Sequence, residues 1–158
     1  MSHGNYYPTM KGDEKKRVLA RFEEQMRKWA LPIPRVEPIV VSFGALSFDK
    51  AGLIEYWLAN EAAEGYCGKF LFVFDGQTCP YHHHVLKHET FYILKGGVSM
   101  KVAGVERVLK EGELLVMPQG TDHSFTGRGA ALLIEISKPC SEGDNIFEDK
   151  SIGSGGKY

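Results

Sequence analysis

An all-β sandwich or barrel preceded by one amphipathic helix is the architecture that this sequence of 158 residues predicts. Three observations predict it. After Pro38 the chain breaks into many short apolar and β-branched runs separated by glycine-rich turns, the pattern of strands and hairpins. Before Pro38 a single stretch has helical periodicity. No regular alternation of strands with helices follows, which excludes a doubly wound α/β sheet.

Residues 1–12 are polar, with Tyr6 and Tyr7 as their groups able to dock on another surface. From Asp13 to Trp29 the apolar residues Val18, Leu19, Phe22, Met26 and Trp29 recur every three or four positions. Asp13 is read as the N-cap, and Pro32 and Pro34 forbid continuation. The Phe22/Met26/Trp29 stripe is expected to pack on the barrel or across a dimer. Strands are expected at 39–43, 52–58, 67–74, 90–94, 98–102, 105–109, 113–117, 124–126 and 130–137. The tail from Ser141 is polar, with Ile146-Phe147 as its anchor, and 154–156 reads as flexible. No internal repeat is evident. The expected organisation is an arm and helix at 1–38, a barrel at 39–140 and a tail at 141–158.

The bulk properties narrow the partners. Length suffices for one domain with a full core. A net charge of −1 gives no electrostatic reason for nucleic acid or an anionic membrane as partner. No apolar run is long enough to cross a bilayer, and the polar start is no signal peptide. Cys67, Cys79 and Cys140 are odd in number and lack paired metal-site spacing, which argues against a disulfide framework. The expectation is a cytoplasmic globular protein.

Five of the six histidines fall in two short segments. The first reads Gly76-Gln77-Thr78-Cys79-Pro80-Tyr81-His82-His83-His84, then Glu89, then Gly96; the second carries Gly112, Pro118, Gly120 and His123. Strand alternation puts His82 and His84 on one face and turns His83 away. Glu89 opens the following strand, and His123 starts an opposing one after the Pro118-Gln119-Gly120 turn. Four side chains, His82, His84, Glu89 and His123, can therefore converge on one divalent ion. Such donors suit Mn(II), Fe(II), Co(II), Ni(II) or Zn(II), and ligand type does not choose among them. Four protein ligands on a six-coordinate ion leave open positions, which suits catalysis better than a closed structural site. His88 is read as a surface or supporting residue, and Tyr81, Phe91 and Phe125 as core or pocket wall. Cys79 is read as a small buried residue, and Tyr56 and Trp57 as packing groups.

These two segments resemble the two motifs of the cupin superfamily. The first motif is glycine, five residues, His-x-His, three or four residues, Glu, six residues, Gly, and 76–96 matches every position. The second is glycine, five residues, Pro-x-Gly, two residues, His, three residues, Asn; here Gly127 stands in place of the Asn. The resemblance implies a double-stranded β-helix, the cupin jelly-roll barrel. Further segments are similar to cupin-type D-lyxose ketol-isomerases, manganese-dependent enzymes that interconvert aldoses and ketoses. They are Tyr66-Cys67-Gly68-Lys69, Gly76-Gln77-Thr78-Cys79-Pro80, Glu89-Thr90-Phe91, Thr121-Asp122-His123-Ser124-Phe125 and Asp144-Asn145-Ile146-Phe147-Glu148-Asp149. Some relatives carry an insertion between His-x-His and Glu, where this chain has only four residues.

The resemblance implies Mn(II) as cofactor, a small sugar such as D-lyxose or D-mannose as substrate, and a homodimer. It also implies Glu135 as catalytic base and Lys69 as a group that binds or stabilises a substrate oxygen. Alternation within 130–137 by itself points the other way, with Ile134 and Ile136 inward and Glu135 in solvent, and composition likewise puts Lys69 outside. If Glu135 faces the interior, desolvation is expected to raise its pKa. A cupin dioxygenase using Fe(II) at the same donors, or a sugar-binding cupin without turnover, are the competing readings.

Overall fold

The computed structural model describes residues 9–44 and 46–158; Tyr6 and Tyr7 lie outside the described residues. The chain begins with helix α1 (Gly12–Lys28) and continues through β1 (Ile39–Ser42), β2 (Gly52–Glu61), β3 (Tyr66–Val73), β4 (Thr78–His83), β5 (Glu89–Lys95) and β6 (Gly97–Val102). Then follow β7 (Val105–Lys110), β8 (Leu114–Met117), β9 (His123–Gly127), β10 (Ala131–Ser137) and β11 (Ile146–Phe147). The strands form two sheets, ordered β1-β2-β3-β10-β5-β8 and β11-β4-β9-β6-β7, with antiparallel ladders. This is the double-stranded β-helix expected from the motifs.

Two apolar layers explain the strand composition. Between the sheets lie Leu53, Leu71, Phe91, Ile93, Met100, Phe125 and Leu133. On the outer face of the six-stranded sheet, Val18, Phe22 and Met26 of α1 cover Val40, Ile54, Tyr56, Phe72 and Leu132. Successive residues such as Leu53/Ile54 and Leu71/Phe72 are thus buried on opposite faces. That produces continuous apolar runs in place of clean alternation. Phe22 stacks on Tyr56 at 5.3 Å and meets Phe72 edge-on at 5.0 Å, while Trp29 meets Phe72 at 6.0 Å. The helical stripe therefore packs on the barrel.

Two local expectations need correction, one at the start of the helix and one in the tail. Asp13 does not cap α1; Lys11 holds that position without a side-chain bond, and Asp13 sits in the first turn, where its charge suits the helix dipole. The helix closes at Trp29 as expected, where Ala30 turns left-handed (φ 53°) and Leu31 N–H donates to Met26 O. The tail is also not free at 154–156. Ser154 N–H donates to Lys157 O, Gly156 N–H to Ile152 O, and Phe147 N–H to Gly156 O. β11 pairs with β4, setting Ile146 opposite His83 and Phe147 opposite His82.

The motif glycines have geometric reasons. Gly96 has φ 73°, and a Cβ there would lie 2.1 Å from Ala130 O. Gly127, the departure from the second motif, seals the turn that opens the first. Its N–H donates to Gln77 O, its carbonyl accepts from Gly76 N–H, and a Cβ would lie 2.2 Å from Phe74 O. Gln77 completes that turn, accepting from Phe74 N–H and donating to Phe48 O. Backbone occupies the space an asparagine would need. Gly127→Asn, which restores the family residue, is therefore expected to destabilise the fold by about 2 kcal/mol, read as a lower urea midpoint at unchanged slope.

Candidate metal centre

The register of the two sheets brings the polar residues together. β4 and β9 pair so that His82 lies opposite His123. His84 follows β4 by one residue and is buried with them. From the facing sheet comes Glu89, at the start of β5, in a row with Cys67, Ser137 and Met117. The adjacent row reads Trp57, Lys69, Glu135, Phe91 and Leu115, all buried. One end of the barrel interior is thus polar and the rest apolar.

The three imidazoles are held in one orientation by backbone carbonyls. His82 Nδ1 lies 2.7 Å from Pro80 O, His84 Nδ1 2.9 Å from Asp144 O, and His123 Nδ1 2.9 Å from Thr121 O. A carbonyl can only accept, so each Nδ1 carries the proton and each Nε2 presents a lone pair. Those of His84 and His123 stand 3.4 and 3.3 Å from the two Glu89 oxygens. One donor atom from each of His82, His84 and His123 falls within 4.8 Å of the others. Among the described residues, Glu89 Oε2 and His123 Nε2 have no hydrogen-bond partner although both are buried.

Two buried acceptors facing each other without a proton repel, and each has lost its hydration. A divalent cation between them removes both costs. The donor set therefore fits a metal ion, and the expected residues His82, His84, Glu89 and His123 all converge at this point. Burial drives the His82 pKa well below its ordinary value, helped by His123 and His84, and the His84 pKa down to about 4. Neutral imidazoles are the form that ligates.

A second group of charges adjoins the first. Lys87 Nζ lies 2.5 Å from Glu89 Oε1 and 3.1 Å from Glu135 Oε1. Ser137 Oγ donates to the same Glu135 oxygen at 2.7 Å. Lys69 Nζ is 3.4 Å from Glu55 Oε2, which also accepts from Trp57 Nε1. Glu55, Lys69, Lys87 and Glu135 line one cavity with His82, His84 and Glu89.

Lys69 and Glu135 both point inward, against the reading from alternation and composition. Ile136 is 61% exposed whereas Glu135 is 3% exposed. The expected upward pKa shift of Glu135 is overturned as well. Burial favours its neutral form, but Lys69 and Lys87 outweigh burial and hold the carboxyl below its usual range. Burial likewise opposes the charge on Glu89, and Lys87 leads the groups that keep it ionised.

Three participants are absent from the expectations. Glu55 had a signal, since it alternates with the inward Leu53 and Trp57 on β2. Lys87 had only the shortness of the connection that carries it. Asp144 comes from the tail: its carboxylate accepts from the N–H groups of Val85, Leu86 and Lys87 at 2.9, 2.9 and 3.0 Å, while its carbonyl orients His84. His83 turns outward to Asp122 at 2.8 Å, as expected. Cys79, Phe91 and Phe125 are buried wall residues.

Fold and site together define a β-helix barrel protein with a histidine–carboxylate centre buried between its sheets. Residues 70–137 match the cupin domain family, and the barrel has that family's fold. Along the chain it is 27% identical to the D-lyxose ketol-isomerase of Cohnella laeviribosi, over 90% of this chain and 94% of that protein. It is 29% identical to the D-lyxose/D-mannose isomerase of Thermosediminibacter oceani, over 72% and 77% of the respective chains. In structure it is similar to Cellulomonas parahominis L-ribose isomerase solved with L-ribose, with a TM-score of 0.75, 16% identity, and coverage of 93% of this chain and 96% of that one. No helix among the described residues is long and apolar enough to cross a membrane.

Metal content tests the centre directly. Protein equilibrated with Mn(II) and desalted is expected to retain about one ion per chain, and His82→Ala, His123→Ala and Glu89→Gln each to retain close to none, by elemental analysis.

Proposed function

We propose that this protein is a metal-dependent aldose–ketose isomerase acting on a small sugar such as D-lyxose or D-mannose. One observation carries the proposal: the candidate metal ligands His82, His84 and Glu89 share a cavity with two buried lysine–carboxylate pairs. Ligation alone does not call for Lys69–Glu55 and Lys87–Glu135, and burying four more charges is costly. Proton transfer on a hydroxycarbonyl compound does call for such groups. The 27% identity to one D-lyxose ketol-isomerase over 90% of this chain supports the same reading.

His82, His84, Glu89 and His123 would hold the ion, with Mn(II) as the proposed one. When bound, it supplies Lewis acidity toward the adjacent oxygens of the sugar. Glu135, kept ionised by Lys69 and Lys87, takes the proton from the carbon next to the carbonyl and returns it to the neighbouring carbon. Negative charge develops on the sugar oxygens between these two events. Lys69, already desolvated, is placed to donate to one of them. Ser137 and Lys87 fix the Glu135 carboxylate, so its free oxygen is the one aimed at substrate. A dioxygenase with Fe(II) at the same donors would use neither lysine–carboxylate pair, which is why that reading ranks second.

The experiment is an isomerisation assay by NMR on metal-stripped protein reloaded with Mn(II), using lyxose, mannose, ribose and their ketoses. Conversion is expected, with Glu135→Gln slowing it by about 10²- to 10⁴-fold at unchanged metal content. Metal-loaded protein that converts none of these sugars would overturn the reading and turn attention to oxygen uptake.

We also propose a homodimer. The outer face of the six-stranded sheet presents Ile136, Thr90 and Val116 in one cross-strand row and Ile134, Tyr92 and Leu114 in the next. Ile136, Val116 and Leu114 are exposed, at 61%, 48% and 62%. Contiguous apolar surface on a sheet face is a self-association surface. Light scattering is expected to give a dimer mass for the native chain and a monomer mass for an Ile136→Lys/Val116→Lys double variant; a native monomer would refute the arrangement.

A further inference from the structure

The isomerisation chemistry leaves a pair of thiols unused beside the site. Cys67 Sγ, on β3, lies 3.9 Å from Cys140 Sγ, just beyond β10. Both are free, and together with Glu135 they form a cluster whose donor atoms fall within 4.8 Å of one another. The pair is asymmetric. Cys67 is buried in the row that contains Ser137 and Glu89, whereas Cys140 is half-buried and reachable from outside. Asn60 Oδ1 accepts from Cys140 N–H at 2.9 Å, which fixes the backbone carrying the outer sulfur. Lys87 Nζ stands 4.0 Å from that sulfur.

We propose that Cys67 and Cys140 are an oxidisable dithiol in which Cys140 reacts with a hydroperoxide and Cys67 resolves it to an intramolecular disulfide. The Cys140 thiolate attacks the terminal peroxide oxygen, the O–O bond breaks, and the leaving oxygen takes a proton and departs as water, or as the alcohol of an organic hydroperoxide. Cys140 is then a sulfenic acid. The Cys67 sulfur attacks it, the S–O bond breaks, the S–S bond forms, and a second water carries away the hydroxyl with the Cys67 proton. Two thiols are oxidised by two electrons and one hydroperoxide is reduced. The sulfurs need only close from 3.9 Å to the roughly 2.0 Å of a disulfide.

The electrostatics match these roles. The hydrogen bond shared with Cys67, then Lys69 and Lys87, outweigh burial and lower the Cys140 thiol to about 6, which favours its thiolate. The same bond and burial push Cys67 upward, keeping it a thiol until it is called on to resolve. Cys79, the remaining cysteine, is buried away from this pair and burial raises its pKa, which disfavours its thiolate. Lys69 and Lys87 beside the cluster oppose a second cation there and favour thiolate, which selects the redox reading over a second metal site. The bond would tie β3 to the start of the tail that carries Asp144 and Phe147 to the metal centre.

The test is stoichiometric hydrogen peroxide at neutral pH on the full, metal-loaded chain, followed by intact mass and non-reducing peptide mapping. The expected result is a loss of two hydrogens per chain, a single cross-linked peptide containing Cys67 and Cys140, and reversal by dithiothreitol. In Cys67→Ser the sulfenic acid on Cys140 should persist and be captured by dimedone; in Cys140→Ser no cysteine should react at the same dose. A cross-link to Cys79, a cross-link between chains, or unchanged thiols would overturn the proposal. So would a second zinc ion per chain lost in Cys140→Ser. None of these readouts depends on sugar turnover, so failure of the isomerase assay leaves them intact.

Discussion

The buried carboxylate of Glu89 is the constraint around which the rest of the molecule is arranged. It is placed at 2% exposure against two imidazole nitrogens that cannot donate to it. Such a charge is costly in a medium of low polarisability and persists only with compensation. Lys87 supplies part of it at hydrogen-bond distance, and a divalent ion among the four donors would supply the rest. Remove the compensation and the barrel interior holds mutually repelling acceptors. A bound ion would in this way couple metal binding to folding.

The same constraint explains the path of the tail. Lys87 can serve Glu89 only if the short connection after His84 is held in a compact turn. Its three consecutive N–H groups converge on Asp144, which simultaneously fixes the His84 tautomer through its carbonyl. Phe147 then packs at 5.2 Å from His82 and 5.4 Å from Phe43, closing the apolar side of the centre. A segment that reads as a polar terminus is thus part of the active-site wall. Loops of this kind commonly carry function because a rigid scaffold positions them.

Charge neutrality extends past the metal ligands. Lys87, from the connection before β5, pairs with Glu135, and Lys69 pairs with Glu55 across β2 and β3. In the proposed proton transfer this would trade basicity for readiness: Lys69 and Lys87 favour the ionised Glu135, and Ser137 orients it. The thiol pair at the edge of the cluster shares the same lysines.

Much of the fold was legible in the residues themselves. Period-two alternation and motif spacing put His82, His84, Glu89 and His123 on converging faces, and the turn glycines bounded nearly every strand. Those signals are local, since they follow from the pleat and from backbone conformations that only glycine tolerates. The inward face of β10 was not legible. Leu132, Ile134 and Ile136 alternate as convincingly as Leu133, Glu135 and Ser137, because a helix covers one face of the sheet and an apolar patch lies on the same side. Only the packing of α1 and the facing sheet decided that Glu135 is interior. Lys87 and Asp144 were likewise settled by tertiary structure alone. Asp144 meets His84 60 residues away, and Lys87, besides its neighbour Glu89, meets Glu135 48 residues away, contacts set by sheet register that no local pattern encodes.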